Sequence, residues 1–128
     1  MSNGMPKAGT FCWNELTTKD AKASKSFFTQ LLGWDTKESE FDDMKYTEFQ
    51  VDGKSVAGML QMTEEWGDAP SHWMGYITVV DVDGVAAKVE SLGGKVCVPP
   101  TDIPNIGRFA VINDPAGATV SLITLASR

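Results

Sequence analysis

Hydrophobic and polar positions change their period several times along the chain, and each change marks an element. Residues 10–16 alternate, which predicts a short strand. Thr17 and Thr18, with Asp20 just beyond, read as the start of a helix. Ala23, Phe27 and Leu31 then recur at every fourth position, with Ser24, Phe28 and Leu32 beside them. That spacing predicts one apolar stripe on a helix of about 14 residues. Gly33 follows as a left-handed cap. Three strands are expected near 34–39, 45–51 and 55–62, and Asp52-Gly53 joins the last two as a tight hairpin. Residues 63–71, TEEWGDAPS, are polar and rich in turn formers, and read as a linker.

The pattern then restarts. Residues 72–80 read as a strand, and Asp81 as a helix N-cap whose carboxylate would accept from free backbone N–H groups. Val82, Val85, Ala86, Val89 and Leu92 recur at helical spacing up to Gly93-Gly94. Three more strands are expected near 95–98, 108–113 and 118–125, the last two joined by the turn Asp114-Pro115-Ala116-Gly117. The order is βαβββ, linker, βαβββ. The halves match at an offset of about 62 residues, which sets 12–16 on 74–78, 20–33 on 82–93, and Met59-Leu60 on Ser121-Leu122. The expected fold is α+β, in a single domain over residues 1–128. Two βαβββ modules (about 9–62 and 72–125) form a curved eight-stranded mixed sheet around a central cup, with one helix per module outside. A concave, mostly apolar cleft of that kind is the default place for a ligand.

Composition narrows the function by exclusion. The 128 residues suit one domain, and 42% hydrophobic with 22% charged residues is ordinary for a globular protein. The net charge of −6 argues against nucleic acid and against anionic membrane surfaces, both of which call for a basic footprint. No apolar run approaches the roughly 20 residues that span a bilayer, and residues 1–9 lack a signal-peptide core. A cytoplasmic location is expected. The two cysteines, Cys12 and Cys97, are expected as buried reduced thiols rather than a disulfide framework. Glu64-Glu65 and Asp42-Asp43 read as solvated loop charges, and Trp66 as an anchor, a lid, or a residue that tucks the linker down. Gly93-Gly94 ends a helix instead of opening one, so it is no phosphate loop.

The stretch CWNELTTKDAKASKSFFTQLLGW resembles the opening strand and helix of the vicinal-oxygen-chelate superfamily, which includes glyoxalases, bleomycin resistance proteins and extradiol dioxygenases. YITVVDVDGVAAKVESLGGKV is similar to the second strand and helix of that superfamily, and GRFAVINDPAGATVSLI to its closing hairpin with a DPxG turn. The Cys-Trp opening resembles a bacterial branch often built as tandem domains. The resemblance implies a divalent metal at the centre of the cup, held by His, Glu or Gln on the first and last strands of each half. The metal binds two adjacent substrate oxygens and stabilises the charge that develops there. Carried over position by position, those ligand sites fall on Trp13 (Cys12 with a one-residue slip), Met59, Met74 and Ser121. Indole offers no lone pair, thioether is a soft donor, and serine hydroxyl is a weak one. No metal and no other cofactor is therefore expected.

The remaining inner face would be aromatic and soft. Trp13, Glu15, Met59, Met74, Tyr76, Phe109 and Ser121 are expected to line a pocket for a small hydrophobic or aromatic molecule. Tyr76, Ser121 or Glu15 would orient it by hydrogen bonding. The reading is a small-molecule binding protein that has lost the family metal site, with enzymatic activity left open. Two alternatives remain open. One is a lyase, isomerase or dioxygenase with a displaced metal site on His72, Glu15 and Glu48. The other is a non-catalytic, self-associating module whose cup is filled by its own side chains. The resemblance also implies a homodimer, since family members commonly pair through their modules.

Overall fold

In the computed structural model, residues 5–41 and 44–126 are described, so the acidic pair Asp42-Asp43 lies outside the described residues. Among the described residues there are eight strands and two α-helices, besides two short 3-10 turns. They run β1 (Phe11–Thr18), α1 (Ala21–Leu32), β2 (Asp35–Phe41), β3 (Met44–Val51), β4 (Lys54–Gln61), β5 (His72–Thr78), α2 (Val82–Val89), β6 (Lys95–Ile103), β7 (Gly107–Asn113) and β8 (Thr119–Leu125). The class is α+β, and the strand pairing is mixed. β1 runs parallel to β4, and β5 parallel to β8, while β2–β3, β3–β4, β6–β7 and β7–β8 are antiparallel. This is the βαβββ order, given twice. Among the described residues, no helix is long and apolar enough to cross a membrane.

The chain packs as two compact units, Trp13–Met74 and Met1–Cys12 with Gly75–Arg128. In the first, Leu16, Phe49, Ala57 and Met59 form a buried cluster, and Ala21 and Phe28 of α1 and Trp34 pack against it. Alternation along the strands puts Leu16, Met59 and Thr47 in register on that one face, beneath the helix. Phe28 is the pivot of the cluster: its ring stacks on Trp34 at 5.7 Å and meets Phe49 and Trp73 edge-on. In the second unit, Val82 and Ala86 of α2 bury against Ala110 and Leu122. Here Arg108 of β7 grips Asp83 of α2 with two nitrogens, at 2.8 and 3.0 Å, and reaches Asp102 at 3.0 Å. The Arg108 guanidinium holds the Asp83 carboxyl below its ordinary pKa.

Local chemistry sets the boundaries. Asp20 is the true N-cap of α1: its carboxylate accepts from the Ala23 N–H at 3.0 Å. Gly33 closes that helix in the left-handed region at φ 72°. Asp52 and Gly53 both take positive φ, 51° and 78°, as a tight primed hairpin turn requires. The Asp114 carboxylate accepts from the Ala116 and Ala118 N–H groups and so folds the second hairpin turn.

Four expectations are corrected. Of the apolar stripe expected on α1, Phe28 packs against the core together with Ala21, whereas Phe27 and Leu31 are 58% and 61% exposed. Asp81 sits at the N-cap of α2 without a side-chain capping bond, because the Thr124 hydroxyl accepts from the Val82 N–H instead. Strand β6 runs on through Pro99 and Pro100 to Ile103, well past residue 98. It pairs on one side only, with β7, and a strand with a free side tolerates proline. Cys97 is exposed and Cys12 is half-buried, and both are free, so they are not two buried thiols.

Phe49, fully buried, is the largest side chain in the first cluster. Phe49→Ala is expected to destabilise the protein by about 3–5 kcal/mol, read as a lower urea midpoint with an unchanged slope.

The Lys25–Glu38 pair offers a check on the surface. Burial pushes the Glu38 carboxyl up, but hydrogen bonds from Lys25 and Thr47 outweigh it, and the net shift is downward. Glu38 therefore adds stability that is present above the ordinary carboxylate pKa and lost as pH falls through its lowered value. Lys25→Met is expected to move the Glu38 titration upward, which side-chain NMR would show.

Candidate functional site

The strand registers decide which residues reach the face away from each helix. In the first unit, Glu15 of β1 and Glu48 of β3 both pair with Gly58 of β4. All three lie opposite the Leu16–Met59 face. Trp13, Glu15, Tyr46 and Gly58 therefore share the helix-free side. In the second unit, Tyr76 pairs with Ser121, Ser121 with Val111, and Phe109 with Ile123. Tyr76, Phe109 and Ser121 share the helix-free side there, since Ile77, Leu122 and Ala110 form the core beneath α2. By the same alternation Met74 lies on the Tyr76 side of β5, and it is half-buried.

Met59 does not belong with them. It is 2% exposed and lies in the core under α1. The expected offset set Met59 opposite Ser121, but the registers pair Leu16 with Met59 and Ile77 with Leu122. The true counterpart of Ser121 is Gly58. A slip of one residue moves a strand side chain to the other face.

Gly58 is what the helix-free side of the first unit is built around. A Cβ there would collide with the Tyr46 phenol, whose ring lies flat across the glycine. The Tyr46 hydroxyl in turn accepts from the Trp13 indole N–H at 2.8 Å and donates to the Glu15 carboxylate at 2.9 Å. Two strands thus contribute to one hydrogen-bonded chain, indole to phenol to carboxylate, and it lies over Gly58 of a third. Tyr46 escaped the sequence reading because β3 was given only Glu48, for the alternative metal site, and no residue of the pocket. The signal for it was Gly58 itself, since a lone glycine inside a strand marks a close approach.

In the second unit, Ser121 is 1% exposed, and its hydroxyl has no hydrogen-bond partner among the described residues. The Thr78 hydroxyl, on the same side of neighbouring β5, is likewise unpaired and buried. An unmade hydrogen bond of this kind costs about 1–3 kcal/mol. Two open clefts lie elsewhere. One of about 490 Å³ is lined by Gly9, Val79, Asp81 and Lys88, and one of about 320 Å³ by Glu38, Ser39, Glu40 and Lys45. Neither takes in any residue expected to bind.

The donor set does not fit the family metal. The positions that would supply ligands carry Trp13, Gly58, Met74 and Ser121, and a glycine donates nothing. The displaced site fares no better. His72 Nδ1 lies 2.8 Å from the Pro70 carbonyl, with its ring beside Trp66. Glu15 accepts from Tyr46, and Glu48 from the Ser55 hydroxyl. Among the described residues, no three His, Cys, Asp or Glu side chains are grouped to hold a metal ion. Trp66, 42% exposed, lies against His72 and folds the linker back on itself.

A family description, Glyoxalase/Bleomycin resistance protein/Dioxygenase superfamily, matches residues 10–122. The chain belongs to this superfamily. It is 34% identical over 118 residues to a putative glyoxylase, CFP32, of Mycobacterium tuberculosis, covering 91% of this chain and 44% of that protein. It is 33% identical over 127 residues to the anthracycline biosynthesis protein DnrV of Streptomyces peucetius, covering 89% of this chain and 46% of that one. The chain thus spans just under half the length of these relatives. Methylmalonyl-CoA epimerase from Streptomyces coelicolor superposes with a TM-score of 0.65, over 94% of this chain and 97% of its own. At 17% identity that likeness concerns the fold alone.

Gly58→Ala is expected to drive the Tyr46 ring off the sheet and break both of its bonds. The Trp13 indole N–H resonance should then shift toward that of a solvent-exposed tryptophan, and the Tyr46→Phe variant should reproduce the shift. Ser121→Ala removes an unpaired buried hydroxyl and is expected to leave the melting temperature of the ligand-free protein unchanged or slightly raised.

Proposed function

We propose that this member of the glyoxalase/bleomycin-resistance superfamily binds a small molecule without the family metal. The observation that carries this reading is the Trp13–Tyr46–Glu15 chain over Gly58. It occupies the side of the sheet where the first and last strands of the module would otherwise present metal ligands. What stands there is a half-buried aromatic surface with a carboxylate at its edge.

Such a surface suits a planar aromatic or otherwise hydrophobic ligand. Trp13 and Tyr46 offer faces for stacking, and an aromatic contact of that kind contributes about 0.5–1.5 kcal/mol beyond its buried area. Glu15 orients the ligand by accepting a hydrogen bond. Met74, of the same unit, is proposed as a further contact, and Tyr76, Phe109 and Ser121, with its unpaired hydroxyl, are proposed as the contact surface of the other unit by itself. The kinship with an anthracycline biosynthesis protein supports a fused-ring aromatic as the first compound class to try. The epimerase neighbours, one of them solved with methylmalonyl-CoA, make an acyl thioester the second. On this reading the protein is a binder rather than an enzyme, works in the cytoplasm as a homodimer, and engages neither nucleic acid nor membrane.

The test has two stages. The purified protein is incubated with Mg, Mn, Fe, Ni and Zn, dialysed, and analysed for bound metal. No retained metal is expected, whereas stoichiometric retention of one metal would overturn the metal-free reading. A thermal-shift series with planar aromatic compounds follows. A true ligand at a hundred times its dissociation constant stabilises the protein by about 2.7 kcal/mol. Trp13→Ala and Tyr46→Phe should each weaken that response at least several-fold. A stabilising ligand indifferent to both variants would move the site away from this face.

A further inference from the structure

The sheet places a carboxylate on each side of Gly58. Glu15 of β1 and Glu48 of β3 both pair with that glycine, so they stand one strand away from it in opposite directions, ~9–10 Å apart from Cα to Cα. A hydrogen-bonded chain runs into each of them. The Trp13 indole donates to the Tyr46 hydroxyl, which donates to Glu15. The Gln50 amide donates to the Ser55 hydroxyl at 3.3 Å, which donates to Glu48. An ionised carboxylate only accepts, and each chain ends by donating to one. Glu15, Glu48, Trp13 and Tyr46 are all half-buried on the helix-free side of the first unit.

The Tyr46 ring bridges the strand between the two acids. It springs from β3 and carries its hydroxyl over Gly58 of β4 to Glu15 on β1. The face of such a ring is the negative part of its quadrupole. No cation within the unit answers this concentration of negative charge at its Glu48 end. Among the described residues the ion pairs are Lys25 with Glu38, and Arg108 with Asp83 and Asp102, so Glu48 is in none. Lys37 faces Glu48 from the edge strand β2, but it is exposed and forms no ion pair with it.

We infer that the molecule bound on this face is a cation: a protonated or alkylated amine on an aromatic or other apolar body, its charge seated on the Tyr46 ring between Glu15 and Glu48. The inference rests on the metal-free binding reading above and adds the sign of the ligand's charge. An ammonium over the face of an aromatic ring is attracted by the ring itself, and alkylated ammonium groups are recognised chiefly in this way. Carboxylates on both sides strengthen that attraction, and Trp13 offers a surface to the apolar body. The net charge of −6 adds a weaker pull at longer range. The same two acids repel a ligand of net negative charge, which sets an acyl-CoA, with its phosphates, behind an amine-bearing ring system.

The test compares three probes of one shape and different charge by isothermal titration calorimetry of the full chain at low salt. They are 2-naphthylmethylamine, 2-naphthalenemethanol and 2-naphthoate. The amine is expected to bind at least tenfold more tightly than the alcohol, and the naphthoate more weakly than either. Glu48→Gln keeps an acceptor for the Ser55 hydroxyl and removes the charge, so it should lower the amine-to-alcohol ratio at least fivefold without changing circular dichroism. Glu15→Gln should do the same. The ratio in the unaltered protein should also narrow as salt is raised, a readout that needs no variant. If the alcohol binds as tightly as the amine, and Trp13→Ala weakens both, the face binds small molecules but the charge inference is overturned. An amine preference that survives both glutamine variants overturns it too, because the charge is then sensed elsewhere. If none of the three binds, the inference falls, and the broader ligand reading is decided by its own thermal-shift series.

Discussion

The parallel pairing of each module's first strand with its last is the constraint on which the other features depend. Glu15 against Gly58 and Tyr76 against Ser121 fix the register, and the register fixes the face of every side chain on those strands. Because Leu16 and Met59 go under α1, Trp13, Glu15 and Gly58 have to go to the other side. The same rule buries Leu122 beneath α2 and turns Ser121 away from it. A polar chain of indole, phenol and carboxylate can exist on one side only because the apolar cluster has satisfied the other.

The module order was legible because its signals are local. Asp52-Gly53 demanded a primed turn, Gly33 a left-handed cap, and the Asp114 turn offered its own acceptor, so each boundary could be read from a few neighbouring residues. What was not legible depended on pairing across the sequence. The match of Met59 to Ser121 was wrong by one position, and in a strand one position is the whole difference between core and site. The stripe on α1 was drawn through Phe27 and Phe28 together for a related reason. Both lines are apolar, and only the place of Trp34, Phe49 and Trp73 shows which of them is covered.

The candidate site was half legible for the same cause. Strand alternation put Trp13 and Glu15 on one side of β1, and both bond to the Tyr46 hydroxyl. Tyr46 was missed because its role depends on an absence, the missing side chain of Gly58. The space that a side chain at position 58 would enter is taken up by the phenol of Tyr46 from the neighbouring strand.

The tight turn at Asp52-Gly53 also bears on how the first unit forms. It joins β3 to β4 across two residues, and β2 and β3 are likewise consecutive strands that pair antiparallel. These antiparallel pairs close small loops and lose little chain entropy in doing so. The β1–β4 pair is different: Glu15 and Gly58 stand far apart in the chain, with α1 and the whole meander between them. Contact order thus favours the meander as the nucleus and β1 as the strand that docks late. Trp13 and Glu15 arrive with it, so the hydrogen-bonded chain through Tyr46 is completed only as the unit finishes folding.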